Sequence, residues 1–400
     1  MRILFISRWF PYPPDNGSKN RVYHLLKSLA DSHQVDLISF ASEEVTDAQF
    51  VEIRRYCRSV EVVQYRPFRT NRWKAMLGFF SDAPRSVIDT HSEKMGRLVE
   101  KAVYKRNYNL IIASQIDMIS YAVAVPSIPK VLEEIELTVL YERFVKQTHP
   151  VKRLRSAMTW WKLSRYVARL MHRFNGCTVA SENERALLSQ ILTVPNICVV
   201  PNGVDMRQPL TGRGSPQPNT LIYAGSLTYD ANFDAVNYFL REILPQIRTE
   251  CPSVRLFVTG GLEGVPLERL PNSDSLVFTG YVDDVRPLVA SSWASVAPLR
   301  IGGGTRVKIL ESLAVGTPIV ATSKGAEGLE LTPGRDLLIA DTPSDFAHAT
   351  VRLLRDADLR TTLSQNGRQA VEARYDWTQI GQQFVQFVEA VAAQRQPLAV

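Results

Sequence analysis

Short apolar runs alternate with amphipathic stretches along almost the whole chain. "RILFIS" (Arg2–Ser7) is predicted as a buried strand. The stretch after it, "SKNRVYHLLKSLADS", places Val22, Leu25, Leu26 and Leu29 at helical spacing. "VDLISF", "VEVVQY", "LIIASQ" and "KVLEEI" are further predicted strands, with helical segments between several of them. "GCTVASENERALLSQI" reads as a strand, a Ser/Asn-rich helix start and a helix. Strands separated by helices in this way predict a parallel sheet covered on both faces.

The pattern pauses at Val204–Thr220, where Pro209, Gly212, Gly214, Pro216 and Pro218 predict a linker. It then restarts with "TLIYAG", "VRLFVTGG", "SLVFTG", "ASVAP", "TPIVAT" and "DLLIA" as strands. Helices are predicted at about 231–244, 305–314, 344–355 and 359–375. The fold class is therefore α/β, with two domains of similar size at 1–205 and 206–375. The closing stretch 376–395 carries Trp377, Ile380, Phe384, Phe387, Val388 and Val391 on one helical face. It is expected to cross back and complete the first domain; an ordinary closing helix is the alternative.

Length and composition fit this picture. A chain of 400 residues is too long for one compact core, and 45% hydrophobic with 22% charged residues is a globular balance. No apolar run is long enough to span a bilayer, and the short N-terminal run lacks a small-residue cleavage site, so a cytoplasmic location is expected. Cys57, Cys177, Cys198 and Cys251 are scattered without a CxxC pair, which argues against a zinc site or a disulfide framework. The net charge of +7 suits an anionic partner.

Part of that charge is concentrated. Arg143–Arg173 holds Arg143, Lys146, Lys152, Arg153, Arg155, Lys162, Arg165, Arg169 and Arg173, with no acid, and interleaves Trp160, Trp161 and Tyr166. Arg69–Phe80 ("RTNRWKAMLGFF") has a similar mix. Both predict contact with an anionic membrane surface at its inner face. A solvated basic face over core aromatics is the alternative. Nucleic acid is not expected, because no RNA or DNA module is visible.

Ligands of open α/β sheets bind at the carboxyl ends of the strands, and two such sheets facing each other would form an interdomain cleft. Three loops are candidates for its walls. After the first strand, "RWFPYPPDNGSKNR" lacks the GxGxxG of dinucleotide folds but offers Gly17 and Ser18 at a helix start. "YAGSLTYDAN" offers Gly225 and Ser226 where backbone can approach an anion. "IGGGTRVKILE" offers Gly302, Gly303 and Gly304, a capping Thr305, the cations Arg306 and Lys308, and Glu311. The Glu311 carboxylate can accept two hydroxyl hydrogen bonds, as a ribose presents.

"VVPNGVD", "YAGSL", "VFTGYVDDV", "ASVAPLR" and "GGGTRVKILESLAVGTPIVAT" occur in this order, and together they resemble glycosyltransferase family 4 of the GT-B fold. "PYPPDNGSKNRVYHLLKSLA" resembles a bacterial subgroup associated with exopolysaccharide clusters. The resemblance implies two Rossmann-like domains and a nucleotide-sugar donor. It implies transfer with retention of anomeric configuration, no metal or other cofactor, and a glycan or polyprenyl-linked acceptor. It places Glu311 on the ribose, and Tyr281 and Val282 beside the nucleobase. Gly303 stands where the family carries a first acid that contacts the donor sugar.

Two further departures follow. "GSLTYDANFD" lacks the Arg and Lys that grip the diphosphate in many members, so Arg306 and Lys308 are expected to stabilise the leaving diphosphate instead. None of the six histidines clearly matches the one that contacts the donor sugar. Glu133, Glu134 and Glu136 occupy that region, either facing the sugar or forming a charged loop. Asp283 and Asp284 are read as a helix cap rather than a metal pair. A nucleotide-sugar epimerase and a non-catalytic GT-B partner subunit are the alternatives.

Overall fold

The structure, a computed structural model, describes residues 1–193, 196–207, 215–303 and 306–394. The chain forms two units, Met1–Asn202 with Thr378 onward, and Gly203–Trp377. The boundaries expected from sequence fell at 205/206 and 375/376. Residues 208–214 of the predicted linker lie outside the described residues.

The first unit is built on seven parallel strands in the order β3-β2-β1-β4-β5-β6-β7. They are β1 (Arg2–Ser7), β2 (Gln34–Ala41), β3 (Ser59–Gln64), β4 (Leu110–Ser114), β5 (Lys130–Glu133), β6 (Gly176–Val179) and β7 (Ile197–Val199). Central strands buried on both faces must be apolar throughout, and Ile3, Leu4, Phe5 and Ile6 are fully buried. The register pairs Ile3 with Val35 on one side and with Leu110 on the other. β7 was not predicted: it is a short outer strand, only partly buried, so its apolar signal is weak.

Asn16 caps the helix Gly17–Ala30 by accepting the Lys19 backbone N–H, and Val22, Leu25, Leu26 and Leu29 are its buried face. The closing helix Trp377–Ala393 packs on this unit from Thr378 onward. Gly381 lies so close to Ser28 that a Cβ would collide with it, and Phe387 and Val391 press on Gly176. The Gln383 side chain donates to the Val199 carbonyl at 3.3 Å.

The second unit has six parallel strands in the order β10-β9-β8-β11-β12-β13. They are β8 (Gln217–Ala224), β9 (Arg255–Thr259), β10 (Leu276–Gly280), β11 (Ser292–Ala297), β12 (Ile319–Ala321) and β13 (Leu338–Ile339). The helix expected at 231–244 continues to Glu250 through a π turn at Phe239–Ile243. Pro245 follows that turn, lacks an N–H and crowds the carbonyl four residues back, so the helical ladder widens there.

In both sheets the strand order reverses at the unit's first strand, β1 or β8, with later strands running out to either side. The loops after β1 and β8 therefore sit at the switch points where open α/β sheets bind ligands.

Candidate functional site

In the second unit, β8 ends at Ala224 and the chain turns at Gly225, whose φ of 152° falls in a region open to glycine. The Ser226 hydroxyl donates to the Gly261 carbonyl at 3.0 Å and contacts the Thr228 hydroxyl at 2.8 Å. Gly260, at the end of β9, has φ 108°, and a Cβ there would come within 2.6 Å of the Ser226 Cα and N. Two glycines thus let two strand ends pack backbone to backbone. Gly260 was not singled out from sequence, although the "TGG" ending its strand was visible.

A cation reaches this turn from the helix Val307–Ala314. The Lys308 ammonium donates to the Tyr223 hydroxyl and to Asn232 Oδ1, each at 2.8 Å. A Cβ on Gly225 would lie 2.9 Å from it. Burial lowers the Lys308 pKa to about 7, assisted by Arg306 and opposed by Glu311. Glu311 follows one helical turn later on the same face. Burial raises its pKa to about 7 against the pull of Lys308 and Arg286. Its carboxylate has no hydrogen-bond partner among the described residues, so both oxygens can accept from a ligand.

The structure separates the two cations that sequence assigned to one task. Arg306 is 6% exposed, and its guanidinium donates to the carbonyls of Gly303 (3.0 Å), Gly302 (2.8 Å) and Lys324 (3.2 Å). It clamps its own glycine loop, and Lys308 alone reaches the Gly225 turn. The Gly303 carbonyl is correspondingly engaged by protein. The helix starts with Arg306 at the cap position and no side-chain cap bond, while Gly304 and Thr305 lie outside the described residues.

Tyr281 and Val282 follow outer strand β10, and Tyr281 is 68% exposed. Asp284 accepts from the Arg286 backbone N–H at 3.0 Å and pairs with its guanidinium at 2.6 Å, at the start of the helix Arg286–Ser291. Among the described residues, no group of three or more His, Cys, Asp or Glu is placed to hold a metal.

The first unit carries a second polar cluster, at the carboxyl ends of β4 and β5. Glu133 is fully buried and pairs with Arg21, itself fully buried. Ser114 donates to the same carboxylate at 2.6 Å. Arg21 also donates to the Val200 carbonyl at 2.6 Å and to Asn202 at 3.1 Å. Next along the chain, Glu134 has φ 56°, and Gln115, just after β4, has φ 74°. Such left-handed backbones cost non-glycine residues about 1–3 kcal/mol each.

Gln115 donates to Glu134 at 3.1 Å and to the Ser18 hydroxyl at 3.2 Å, and accepts from the Trp9 indole at 3.0 Å. This ties the start of the helix Gly17–Ala30 to the strand ends. Around Gly17 itself a Cβ would meet nothing, so close approach to protein does not require this glycine. Burial raises the Glu134 pKa, with Glu133 and Glu136 adding and Arg21 and Gln115 opposing. The charged-loop reading fits only Glu136, which is exposed. Gln115 was missed because nothing in "LIIASQ" marks its side chain; its signal is the backbone conformation.

The basic stretch Arg143–Arg173 is not one amphipathic surface helix. It spans the end of the helix Thr138–Val145 and the helix Pro150–Met171, in which Leu163, Tyr166, Val167 and Met171 are core. Trp160 is partly buried against Tyr141, whereas Trp161 is exposed under Arg165. Only the first half of the long helix keeps an apolar stripe outward.

Residues 218–356 match the family model described as Glycosyl transferases group 1. A 44.6 kDa protein in the cps region of Klebsiella pneumoniae is 19% identical over 390 residues, covering 94% of this chain and 96% of that protein. A GDP-mannose-dependent monoacylated alpha-(1-6)-phosphatidylinositol monomannoside mannosyltransferase of Corynebacterium glutamicum is 26% identical over 163 residues, 38% of this chain and 43% of that one. Among solved structures, Anabaena HepE in complex with UDP and glucose superposes with a TM-score of 0.66 at 16% identity, covering 98% and 100% of the two chains. Sucrose-phosphate synthase of Thermosynechococcus elongatus gives 0.69 at 18%, covering 99% and 100%. The structural likenesses give the two-domain Rossmann-like GT-B fold, and the family match within the second unit supports a nucleotide-sugar glycosyltransferase.

Proposed function

We propose that this protein transfers a sugar, with retention and without a metal, from a nucleotide-sugar to a lipid-linked or growing glycan of a cell-surface polysaccharide. The observation that carries the reading is Lys308 at the Gly225 turn, with the Glu311 carboxylate, without a hydrogen-bond partner among the described residues, one helical turn along. Lys308 and the turn's backbone N–H groups receive the diphosphate, and Glu311 receives the ribose hydroxyls. The bond from the sugar's anomeric carbon to the phosphate oxygen breaks while the acceptor hydroxyl bonds to the same face. The departing phosphate takes the acceptor's proton, and Lys308 stabilises the charge that develops on it.

In the first unit, Glu134 and Gln115 are the pair suited to sugar hydroxyls, since one accepts and the other both donates and accepts. The basic, aromatic face of the same unit rests on the inner membrane surface, where a lipid-linked acceptor is found. Support comes from the family match, from the HepE structure, which holds UDP and glucose, and from the mannosyltransferase named for a phosphatidylinositol mannoside.

Titration with UDP-, GDP- and dTDP-sugars, followed by assay of transfer to membrane lipids, tests the reading. The absent acid at Gly303 favours one other possibility, a non-catalytic partner subunit; it predicts weak nucleotide binding and no transfer. An epimerase would convert donor without any acceptor.

A further inference from the structure

Two segments of the first unit leave the carboxyl ends of β3 and β5 and lie against each other on one face. The first, residues 65–86, includes the helix Trp73–Leu77. The second is the first half of the helix Pro150–Met171. Between them is a groove of about 630 Å³, within the size range of small-molecule sites. Phe68, Phe79 and Pro84 line one side and Val151, Leu154 and Met158 the other. Val151, Leu154, Met158 and Trp161 recur at helical spacing and are all exposed, as are Trp73, Met76, Leu77 and Phe80 on the facing segment.

The charge at this groove has one sign. Arg85, Arg155 and Lys162 line it. Lys162 donates to the carbonyls of Gly78, Phe79 and Ser81, and Arg85 to those of Ala75 and Thr70. These neutral partners fix the side chains without cancelling their charge. The one acid on these segments, Asp82, is engaged by Arg169, and the neighbouring acids Asp89 and Glu142 pair with Arg72 and Lys146. No carboxylate pairs with any of the three groove cations among the described residues. An open apolar groove beside cations that no described carboxylate pairs with matches a ligand with a long hydrocarbon chain and an anionic head.

We propose that this groove binds one hydrocarbon chain of an anionic lipid, drawn from the membrane, with the lipid phosphate against Arg155. The inference rests on the lipid-linked acceptor of the proposed function and gives that acceptor a chain-binding site. It differs from surface adsorption, because the chain is held by the protein rather than by the bilayer.

The test uses the full chain and farnesyl phosphate as probe, with farnesol and inorganic phosphate as controls. Calorimetric titration is expected to show that farnesyl phosphate binds and that inorganic phosphate does not. Met158→Trp fills the groove and is expected to weaken farnesyl phosphate by about tenfold or more, while sedimentation with phosphatidylcholine–phosphatidylglycerol vesicles persists. Leu154→Asp, at a 64% exposed position, gives a second variant whose folding is not at risk. Arg155→Glu is expected to weaken farnesyl phosphate but not farnesol. Failure of the unmodified protein to bind farnesyl phosphate, or unchanged binding by both groove variants, overturns the proposal. UDP and GDP titrations on the same samples report on the glycosyltransferase reading separately.

Discussion

The side chains of Gln115 and Glu134 meet at 3.1 Å across the ends of adjacent strands β4 and β5, and both residues have left-handed backbones. Neither conformation is needed to close a turn with glycine, because neither residue is glycine. The strain is held by Ser18, Trp9 and Thr178, each hydrogen-bonded to one of the pair. A strained, part-buried polar pair at the carboxyl ends of sheet strands is, under the proposed function, placed to meet sugar hydroxyls. Glu134→Gln keeps the shape and removes the charge; turnover of the donor should fall about tenfold or more with little change in Tm. Glu134→Gly should abolish turnover yet leave Tm equal or higher, because the backbone is relieved by about 1–3 kcal/mol. Steady-state rates and thermal melts check both.

The same carboxyl group predicts a pH signature. Its folded pKa is raised above the unfolded value, so the native state holds the proton longer than the unfolded chain. Between the two values, the stability contributed by the neutral form is lost as pH rises; below the unfolded pKa it is fully present. The facing charges are Arg21, Glu133 and Glu136. Urea unfolding from pH 4 to pH 8 should therefore show the unmodified protein losing ground relative to Glu134→Gln as pH rises. Parallel curves would count against a proton held there.

Lys308 carries the second pH prediction. Its pKa is held near 7 before any phosphate arrives, and a bound diphosphate favours the charged form. Binding of a nucleoside diphosphate at pH 8 should take up a proton, seen as a heat that varies with the buffer's ionisation enthalpy. Affinity should fall as pH rises above 7. Lys308→Met should cost about 1.5–3 kcal/mol of diphosphate binding while leaving nucleoside binding nearly unchanged. Equal losses for both ligands would place Lys308 in a purely structural role.

Arg306 is predicted to act through the loop. Arg306→Ala removes donors to three carbonyls and should destabilise the protein by about 1–3 kcal/mol. Arg306→Lys cannot reproduce the planar fork and should recover only part of that. Denaturation midpoints of the two variants decide this.

Much of the architecture was legible because the central strands are buried on both faces. Apolar-rich runs marked every strand but the half-buried outer strand β7, and the proline- and glycine-rich break fell near the change of unit. The stripe from Trp377 to Val391 showed that the last helix had an apolar face to bury, though not on which unit. Site residues were legible where backbone chemistry showed, as at Gly225. They were not legible where tertiary contacts decide: Arg306 and Lys308 are two residues apart in sequence, and one folds back on its own loop while the other crosses to Asn232. Glu133 and Glu134 looked alike, but one is locked by Arg21 and the other faces Gln115. Trp160 and Tyr166 counted toward a membrane face in sequence and are partly or wholly packed inside the unit.

The central claim is that a nucleotide-sugar binds through Lys308 and Glu311. Calorimetric titration of the full chain with UDP, GDP and dTDP, repeated on Lys308→Met and Glu311→Gln, tests it most directly. At least one nucleotide is expected to bind, Lys308→Met to weaken it about tenfold or more, and Glu311→Gln to weaken it while sparing inorganic diphosphate. Binding of none of the three, or binding indifferent to both substitutions, would contradict it.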